Sequence, residues 1–249
     1  PKLTEKTLKQ YVNRLREILN KPLTPETVQE YVTRSKWHYM TFSRFLTFLR
    51  KRKGLIELSD RMRAWLPQRP KSGVDRRVPS IVEVIETLRF LKEERPTDIY
   101  IVYRVLLQSG LRLEHVCMLL RQIDQLHVVE VSGGCYRVDL NIWRGEKKQF
   151  HAYLIEIPPK VIIAPNTVSN YINKCIERGV KLVYPKYIRK FVATYMHAVK
   201  IEDSIVKFIT GHINIAEIHE TRYYERLLVA DTNYWRYAQW LKNEILSRV

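Results

Sequence analysis

Residues 99–112 read IYIVYRVLLQSGLR, an apolar run that ends in a glycine and an arginine. Ile99–Leu107 is almost continuously apolar, which predicts a helix that is buried on all its faces. Gly110 then interrupts the pattern, and Arg112 begins the next helical stretch. A single Gly-Leu-Arg break is usually no more than a helix start, so its meaning depends on the segments around it.

Beyond this break the sequence changes to a strand pattern and then returns to helix. Gly133-Gly134 and the polar residues 144–148 are turn signals that separate three strand-like segments. These segments are residues 126–131, 136–143 and 150–157. Helical periodicity returns at Thr167 and continues to the end of the chain. With Ser80 as a helix N-cap, residues 80–249 are predicted to form a mainly helical domain with a small antiparallel sheet.

The first part of the chain is predicted to be a small helical bundle, residues 1–66. Thr4 is a helix-start signal, and Thr24-Pro25 is a second one, because Pro fits the first helical position. Further helices are predicted at about residues 35–51 and 60–66. Residues 67–79 contain three prolines, a glycine and several cations, which predicts a basic linker.

Composition favours some function classes and excludes others. The chain has 249 residues, with 43 Lys and Arg against 26 Asp and Glu, and a net charge of +17 that lies mostly in residues 1–79. Cations placed among periodic apolar residues favour a nucleic-acid partner over a charge that serves solubility alone. Three scattered cysteines without a CxxC pair predict an intracellular protein without a disulfide framework.

Other classes lack their signals in this sequence. No apolar run is long enough to span a membrane, and no signal peptide is visible at the first residues, PKLTEKTLKQ. No cluster of His, Cys and carboxylate side chains has the spacing of a metal site. The histidines other than His212, His151 among them, show no partner pattern and are interpreted as structural or surface residues.

Four segments carry the candidate chemistry. They are Gln108–Arg112, Lys147-Lys148 in the second predicted turn, Lys186-Tyr187-Ile188-Arg189, and Thr210-Gly211-His212 followed by Thr221-Arg222-Tyr223-Tyr224. Lys186 and Arg189 lie one helical turn apart, so both can face the same target. Each segment alone has an ordinary interpretation as a helix start, a solvated turn or an amphipathic helix face. The order of the four along the chain is the informative feature.

In this order the segments resemble the motifs of the tyrosine recombinase, or phage integrase, family. The family's arginine box, hairpin lysine, H-x-x-R box, L-G-H box and tyrosine are matched by Arg112, Lys147 or Lys148, Lys186 with Arg189, Gly211-His212, and Tyr224 or Tyr223. The resemblance covers about residues 80–249. It is strongest to the integrases of archaeal plasmids and viruses, in which lysine can replace the first histidine of the H-x-x-R box.

Two departures from the family pattern affect the site. His115 stands where the family usually has an acidic residue, and Glu114 lies one position earlier. Tyr223 and Tyr224 follow His212 by eleven and twelve residues, where nine is usual, which implies a short insertion. Tyr224 is the preferred nucleophile, because a threonine three positions earlier gives the family's T-x-x-Y spacing. Tyr223 remains the alternative.

The resemblance implies a fold and an activity. The fold is a helical core-DNA-binding domain, residues 1–66, and a tyrosine-recombinase catalytic domain, residues 80–249, which together form a C-shaped clamp on DNA. The implied activity is site-specific recombination of double-stranded DNA that integrates and excises a mobile element in the host's cytoplasm or nucleoid. Such enzymes act as homotetramers on two duplexes, and a monomer in solution would be compatible with this.

The resemblance also assigns a role to each matched residue. The tyrosine attacks a DNA phosphate and forms a 3′-phosphotyrosine bond, which a DNA hydroxyl later reverses without metal or another cofactor. Arginines meet two phosphate oxygens at once, and a lysine protonates the leaving 5′ oxygen. The assignments are Tyr224 or Tyr223 as nucleophile, Arg112 and Arg189 as the clamp, Lys186 and His212 as further donors, and Lys147 or Lys148 as the acid.

Binding and assembly give further expectations. The candidate phosphate contacts outside the catalytic set are Lys51, Arg52, Lys53, Arg76, Arg77 and Lys190. Such contacts position a protein on DNA without reading its sequence. The apolar stripe in residues 233–249 is predicted to pack on its own domain or on a neighbouring protomer. Two rival functions remain, a DNA-relaxing enzyme of the type IB topoisomerase kind and a DNA-binding protein of the same fold without catalysis.

Overall fold

The computed structural model describes residues 5–69, 75–94, 97–142, 149–212 and 220–249. The chain divides into two compact units, Pro1–Asp75 and Arg76–Val249. The described residues are mostly helical with one three-stranded antiparallel sheet, which confirms the predicted fold class. Thr4 and the predicted turn at residues 144–148 lie outside the described residues.

The first unit is helical, and two of its described helices begin at side-chain caps. Its helices are α1 (Glu5–Leu19), α2 (Pro25–Thr33), α3 (Lys36–Arg52) and α4 (Ile56–Ala64). Thr24 and Thr27 bond each other's backbone N–H at the start of α2, and the Ser35 hydroxyl accepts from the His38 N–H at the start of α3. α4 begins four residues before the predicted position, because Gly54, at φ +68°, turns the chain directly after α3.

The core of the first unit is small, and part of its apolar surface remains in solvent. The buried apolar side chains are Ile18, Val28, Tyr31, Val32, Phe42, Leu46, Leu49 and Met62. The face predicted for α1 is used only in part, since Leu8, Val12 and Leu19 are more than 40% exposed.

The second unit surrounds the helix predicted from the opening segment. Its helices are α5 (Ile81–Glu93), α6 (Thr97–Ser109), α7 (Leu113–Gln122), α8 (Pro165–Glu177), α9 (Pro185–Ala198), α10 (Asp203–Thr210) and α11 (Glu220–Glu244). Ser80 caps α5 in a capping box with Glu83, as predicted. α6 is buried from Val105 to Ser109, so the apolar run is confirmed as the centre of this unit's core. The three cysteines are free and buried.

The sheet lies between α7 and α8 in the chain and has the order β1-β2-β3. Its strands are β1 (Val128–Val131), β2 (Cys135–Ile142) and β3 (Gln149–Leu154). β1 and β3 are shorter than predicted, and β2 begins one residue earlier than predicted. Gly133 and Gly134, at φ +74° and +64°, form the predicted turn between β1 and β2. The β2–β3 ladder pairs Asp139 with His151, and a bulge follows between Asp139 and Ile142.

α11 closes the unit by capping the C-terminal end of α6. The last carbonyls of a helix have no partner within it and need donors from elsewhere. The Tyr237 hydroxyl donates to the Leu107 oxygen at 2.8 Å, and the Tyr234 hydroxyl donates to the Gln108 oxygen at 2.9 Å. Both tyrosines are fully buried, so this segment packs on its own domain, one of the two predicted arrangements.

Candidate active site

Gly110 sets how closely the site's helices approach one another. It has φ +61°, and a Cβ at this position would lie 2.9 Å from Val192 Cγ1 and 3.0 Å from Thr210 Cγ2. A residue with a side chain would therefore be strained in backbone and crowded at once. The glycine lets α9 and α10 pack against the break between α6 and α7.

Arg112 is the N-cap residue of α7, with an extended backbone and a half-buried side chain. Its Nη1 is buried, with no hydrogen-bond partner among the described residues. Burial lowers the pKa of Arg112, and the charge of Glu114 opposes that shift. Glu114 is thus the acidic residue that acts on Arg112, whereas His115 is buried.

Arg189 is a buried cation on α9. Its Nη1 donates to the Gly110 oxygen at 3.0 Å, and its Nε donates to His212 Nε2 at 3.3 Å. Its Nη2 is buried, and within the described ranges it has no hydrogen-bond partner. Burial and the like charge of Arg112 lower the pKa of Arg189 to about 9, so it stays charged at neutral pH.

Arg189 therefore lacks the partner that a buried cation usually has. Buried charges are normally paired, because an isolated one is costly to remove from water. In the described part of the chain, Arg189 forms no ion pair with a carboxylate. This arrangement suits an oxyanion. An oxyanion would accept hydrogen bonds from the N–H groups of Arg112 and Arg189 that have no partner among the described residues.

His212 follows α10 through Gly211, which ends the helix at φ +66°. The Thr210 hydroxyl donates to the Val206 oxygen at 2.7 Å and lies 2.9 Å from His212 Nδ1, so Nδ1 carries the proton. His212 Nε2 is then free to accept from Arg189. The residue as a whole is exposed, but desolvation of the ring, with the charges of Arg189 and Arg112, lowers the pKa of His212 to about 4.

An open pocket of about 460 Å³ brings the cations together. It is lined by Leu111, Arg112, Leu113, Ser169, Tyr184, Pro185, Lys186 and Arg189. We call it the cation pocket, for Arg112, Lys186 and Arg189. Two of its walls are the N-terminal ends of α7 and α9. Helix N-termini carry partial positive charge and unpaired N–H groups, so they reinforce the preference for an anion.

A second group of cations surrounds the ring of Tyr187, beside the pocket. The distances to the ring centroid are 4.4 Å from Lys186 Nζ, 5.3 Å from Lys190 Nζ and 5.1 Å from Arg77 Cζ. Arg77 also pairs with Glu83 at 3.0 Å. The aromatic face stabilises positive charge that would otherwise repel itself. Two of the predicted DNA contacts, Arg77 and Lys190, thus lie next to a predicted catalytic residue.

The remaining predicted DNA contacts are exposed side chains. Lys51, Arg52 and Lys53 are exposed at the end of α3, and Arg76 is exposed at the start of the second unit. Lys147 and Lys148 lie outside the described residues.

Among the residues that are described, no group of three or more His, Cys, Asp or Glu side chains could hold a metal ion. None of the described helices is both long enough and apolar enough to cross a membrane.

Gln149 is a site residue that the sequence did not reveal. It is buried at the start of β3, and its Nε2 donates to the His151 and Ile209 oxygens at 2.7 and 3.2 Å. A Cβ on Gly211 would lie 1.7 Å from Gln149 Oε1, so the two residues are in close contact. Gln149 thereby joins β3, directly after the predicted hairpin lysines, to the turn that carries His212.

The two candidate tyrosines differ in their surroundings. Tyr224, on the first turn of α11, is 61% exposed, and its ring lies 5.8 Å from that of Tyr223. Tyr223 is half-buried and its hydroxyl is hydrogen-bonded to His151 Nε2, a residue that sequence reasoning had assigned no role. Burial, followed by the charge of Asp139, raises the pKa of Tyr223 to about 12. In the described residues neither ring contacts the cation pocket.

Comparison with solved structures finds proteins with a similar fold. A lambda integrase dimer bound to a COC′ core site is 15% identical, with a TM-score of 0.57 over 88% of this chain and 92% of that one. A lambda integrase tetramer bound to a Holliday junction has the same identity and TM-score over 88% and 75%. XerA recombinase is 17% identical over 97% and 93%, with a TM-score of 0.41. No curated protein gives a significant match.

At 15% identity, the lambda integrase structures show only a shared fold. The family is shown by a match in sequence. The family model described as archaeal phage integrase matches residues 76–240. That range contains the cation pocket, the His212 turn and the start of α11. By this match the chain belongs to the archaeal phage integrase family of tyrosine recombinases.

Proposed function

We propose that this chain is a site-specific DNA recombinase that cuts and rejoins DNA through a 3′-phosphotyrosine bond, and so integrates and excises a mobile element. The observation that carries the proposal is the buried Arg189, which has an N–H group without a partner among the described residues, beside a second such group on Arg112. A DNA phosphate supplies the oxyanion that these groups lack. Membership of an integrase family supports recombination as the reaction.

Each cation has a task in phosphoryl transfer. Negative charge builds up on the non-bridging oxygens in the transition state, where Arg112 and Arg189 donate from fixed positions. Removing one such donor typically costs about 3–4 kcal/mol of transition-state stabilisation. Lys186 donates to the same phosphate, and Lys147 or Lys148 protonates the leaving 5′ oxygen.

His212 enters the reaction as a neutral ring. Its Nε2 accepts from Arg189 in the free protein, so it has no proton to give there. A phosphate at the pocket adds negative charge nearby, which raises the pKa of His212 and favours a proton on Nε2. In that state His212 donates to the phosphate, as the family resemblance implies.

Tyr224 is the proposed nucleophile, and Tyr223 is the alternative. A phenol must lose its proton to attack phosphorus, and its ordinary pKa is about 10. The pKa of Tyr223 is raised further, to about 12, and its hydroxyl is bonded to His151. The Tyr224 side chain is exposed. DNA must bring the phosphate and the Tyr224 phenol together.

DNA binding is assigned to both units. The exposed cations Lys51, Arg52, Lys53 and Arg76, together with Arg77 and Lys190, are proposed to contact phosphates on either side of the cut. In this proposal residues 1–66 bind DNA, residues 67–79 follow it as a basic linker, and residues 80–249 hold the chemistry. A homotetramer on two duplexes is the proposed working assembly.

The test is covalent capture on a nicked duplex that carries candidate sites, read on a denaturing gel. At the end point of the reaction, the wild-type protein and Tyr223→Phe should both give a protein–DNA band of low mobility, whatever their rates of cleavage, and Tyr224→Phe should give none. Loss of the band with Tyr223→Phe alone would keep the mechanism and change the nucleophile. If the wild type binds the duplex but no DNA yields a band, the chain is a binding protein without cleavage. Relaxation of supercoiled DNA without recombinant product would point to the topoisomerase-like activity.

A further inference from the structure

A chain of hydrogen bonds connects the sheet to the first turn of α11. Asp139 Oδ1, on β2, lies 2.7 Å from His151 Nδ1, on β3. His151 Nε2 is in turn bonded to the hydroxyl of Tyr223. Asp139 and His151 are direct partners in the β2–β3 ladder, so the strand register itself holds the carboxylate against the imidazole.

The bonding pattern fixes which atom donates at each step. A carboxylate can only accept hydrogen bonds, so His151 Nδ1 carries a proton and donates a hydrogen bond to Asp139. His151 Nε2 is left as an acceptor, and the Tyr223 hydroxyl donates to it. Burial lowers the pKa of His151, which keeps the ring in this neutral form. The direction of the chain therefore runs from Tyr223 through His151 to Asp139.

Packing holds the Tyr223 ring in place as well as its hydroxyl. The ring meets Phe150, on β3, edge to face at a centroid distance of 5.6 Å, and Phe208, on α10, at 5.5 Å. Phe208 belongs to the helix that ends at Thr210 and leads to His212. Tyr223 thus touches the element that positions one of the site's own residues.

A second tie to the sheet lies two turns further along α11. Asp231 accepts from the Tyr153 hydroxyl at 2.7 Å and pairs with Arg137, which also lies 3.3 Å from Asp139. The two ties, at residues 223 and 231, restrain the rotation of α11 about its own axis. They are joined to each other through Arg137.

We propose that Tyr223 is a positioning residue, which the Asp139–His151 pair anchors so that the neighbouring Tyr224 is aimed at the scissile phosphate. Successive side chains on a helix point about 100° apart. Fixing Tyr223 against the sheet therefore fixes the direction of Tyr224, which is exposed. This role rests on the proposed function, in which Tyr224 is the nucleophile.

The effect on the reaction should be large, while the effect on DNA binding should be small. A misplacement of about 1 Å in the reacting groups can cost on the order of a hundredfold in rate. Among the described residues, the hydrogen bonds and ring contacts of the anchor go to the sheet, to α10 and to Tyr224, and not to Arg112, Arg189 or His212. Loss of the anchor is expected to lower the single-turnover cleavage rate at saturating DNA at least tenfold, with the Kd for DNA changed less than twofold.

The decisive variants are His151→Gln and His151→Asn. The Gln amide reaches the position of Nε2 and keeps an acceptor for Tyr223, whereas the shorter Asn amide reaches only the position of Nδ1, beside Asp139. His151→Gln should keep the cleavage rate within about threefold of the wild type. The cleavage rate of His151→Asn should fall as far as that of Tyr223→Phe. The rate of the double variant His151→Asn/Tyr223→Phe should fall no further, because all three variants lack the hydrogen bond between residues 151 and 223. His127→Asn is the matched control, because His127 bonds the outer oxygen of Asp139 at 2.9 Å and is largely exposed.

Hydrogen exchange tests the anchor independently of cleavage. The amides of residues 220–230 should exchange faster in Tyr223→Phe and His151→Asn than in the wild type and His151→Gln. If exchange follows this order while the wild type forms no covalent complex, the anchor stands and the proposed function fails. Equal exchange in all variants would overturn the anchor. Faster exchange with unchanged cleavage would show that the anchor does not position the nucleophile.

Discussion

Arg189 and His212 share one hydrogen bond in which the charge stays on the arginine. His212 Nδ1–H is held by Thr210, so protonating Nε2 would set two donors against each other. Desolvation of the ring, followed by the charges of Arg189 and Arg112, lowers the pKa of His212 to about 4, which keeps the ring in this neutral form. On the proposed function, the pair binds a phosphate first, and only then does His212 take up a second proton.

The first prediction concerns that proton. In the free protein the His212 ring should titrate well below the usual value of about 6.5. Addition of a short duplex should move its pKa upward, because phosphate charge favours the imidazolium form. NMR titration of the imidazole nitrogens measures both values. An unshifted pKa in the free protein would mean that Arg189 does not donate to His212.

The lowered pKa of His212 also determines how the free energy of unfolding changes with pH. His212 has a folded-state pKa of about 4, below the unfolded value of about 6.5. Between these values the unfolded chain binds the proton and the folded chain does not. The free energy of unfolding should therefore fall as the pH drops from about 6.5 to about 4. In urea unfolding at several pH values, His212→Asn should show a weaker slope over this window.

Gly110 gives a prediction with a matched control. Gly110→Ala combines a left-handed backbone with contacts of 2.9 and 3.0 Å to Val192 and Thr210, and should lower the free energy of unfolding by about 2–5 kcal/mol. Gly134→Ala has a similar φ of +64° and nothing within 4 Å, so only about 1–2 kcal/mol should be lost. Equal losses in denaturant unfolding would show that α9 and α10 can yield at this point.

Site residues were predictable from sequence only where they stand in a motif. Arg112, Lys186, Arg189 and His212 were predicted from the order of their segments, and the structure brings the four side chains together. Asp139 and His151 were missed because their contact depends on the strand register. A signal was present, since the two lie at equal distances from Gly145 in the predicted turn, where a symmetrical hairpin would pair them.

At the scale of elements, α11 has two roles at different points along its length. Its buried tyrosines satisfy the carbonyls at the end of α6, and its first turn presents Tyr224. Tyr237→Phe should lower the free energy of unfolding by about 1–3 kcal/mol, because the Leu107 oxygen is left buried without a donor. Since α11 packs within its own unit, this loss should not depend on protein concentration. A concentration-dependent loss would indicate that the segment packs on another protomer.

Elements were predictable where a cap or a long apolar pattern marks them. Ser80 and Thr24-Pro25 start helices as expected, because their side chains satisfy the first N–H groups. α4 was placed four residues late, since its start depends on Gly54 and has no side-chain cap. β1 and β3 were predicted too long, because apolar residues beyond their ends pack in the core without joining the ladder. β2 was predicted at its full length but one residue late.

At the scale of the whole molecule, the charge predicts how DNA affinity responds to salt. Each phosphate contact adds about 0.9 to the slope of log affinity against log salt concentration. Replacing Lys51, Arg52 and Lys53 together with alanine should reduce this slope by about 3. Arg50→Ala is the control, because Arg50 pairs with Asp60 at 2.6 Å and should contribute little. Fluorescence anisotropy over a range of salt concentrations measures the slopes, and an unchanged slope in the triple variant would remove these residues from the interface.

The buried guanidinium of Arg189 also sets stability against activity. A methionine of similar length would need no charge partner, and buried ionic groups can often be replaced by apolar ones at no loss of stability. The melting temperature of Arg189→Met should therefore stay close to that of the wild type, because removing the unpaired charge offsets the loss of the donor to the Gly110 oxygen, while covalent capture of DNA is abolished. Selection for a stable fold alone would not require an arginine at this position. On the proposed function, the arginine is kept for the encounter with DNA, at which the target phosphate completes the core of the protein.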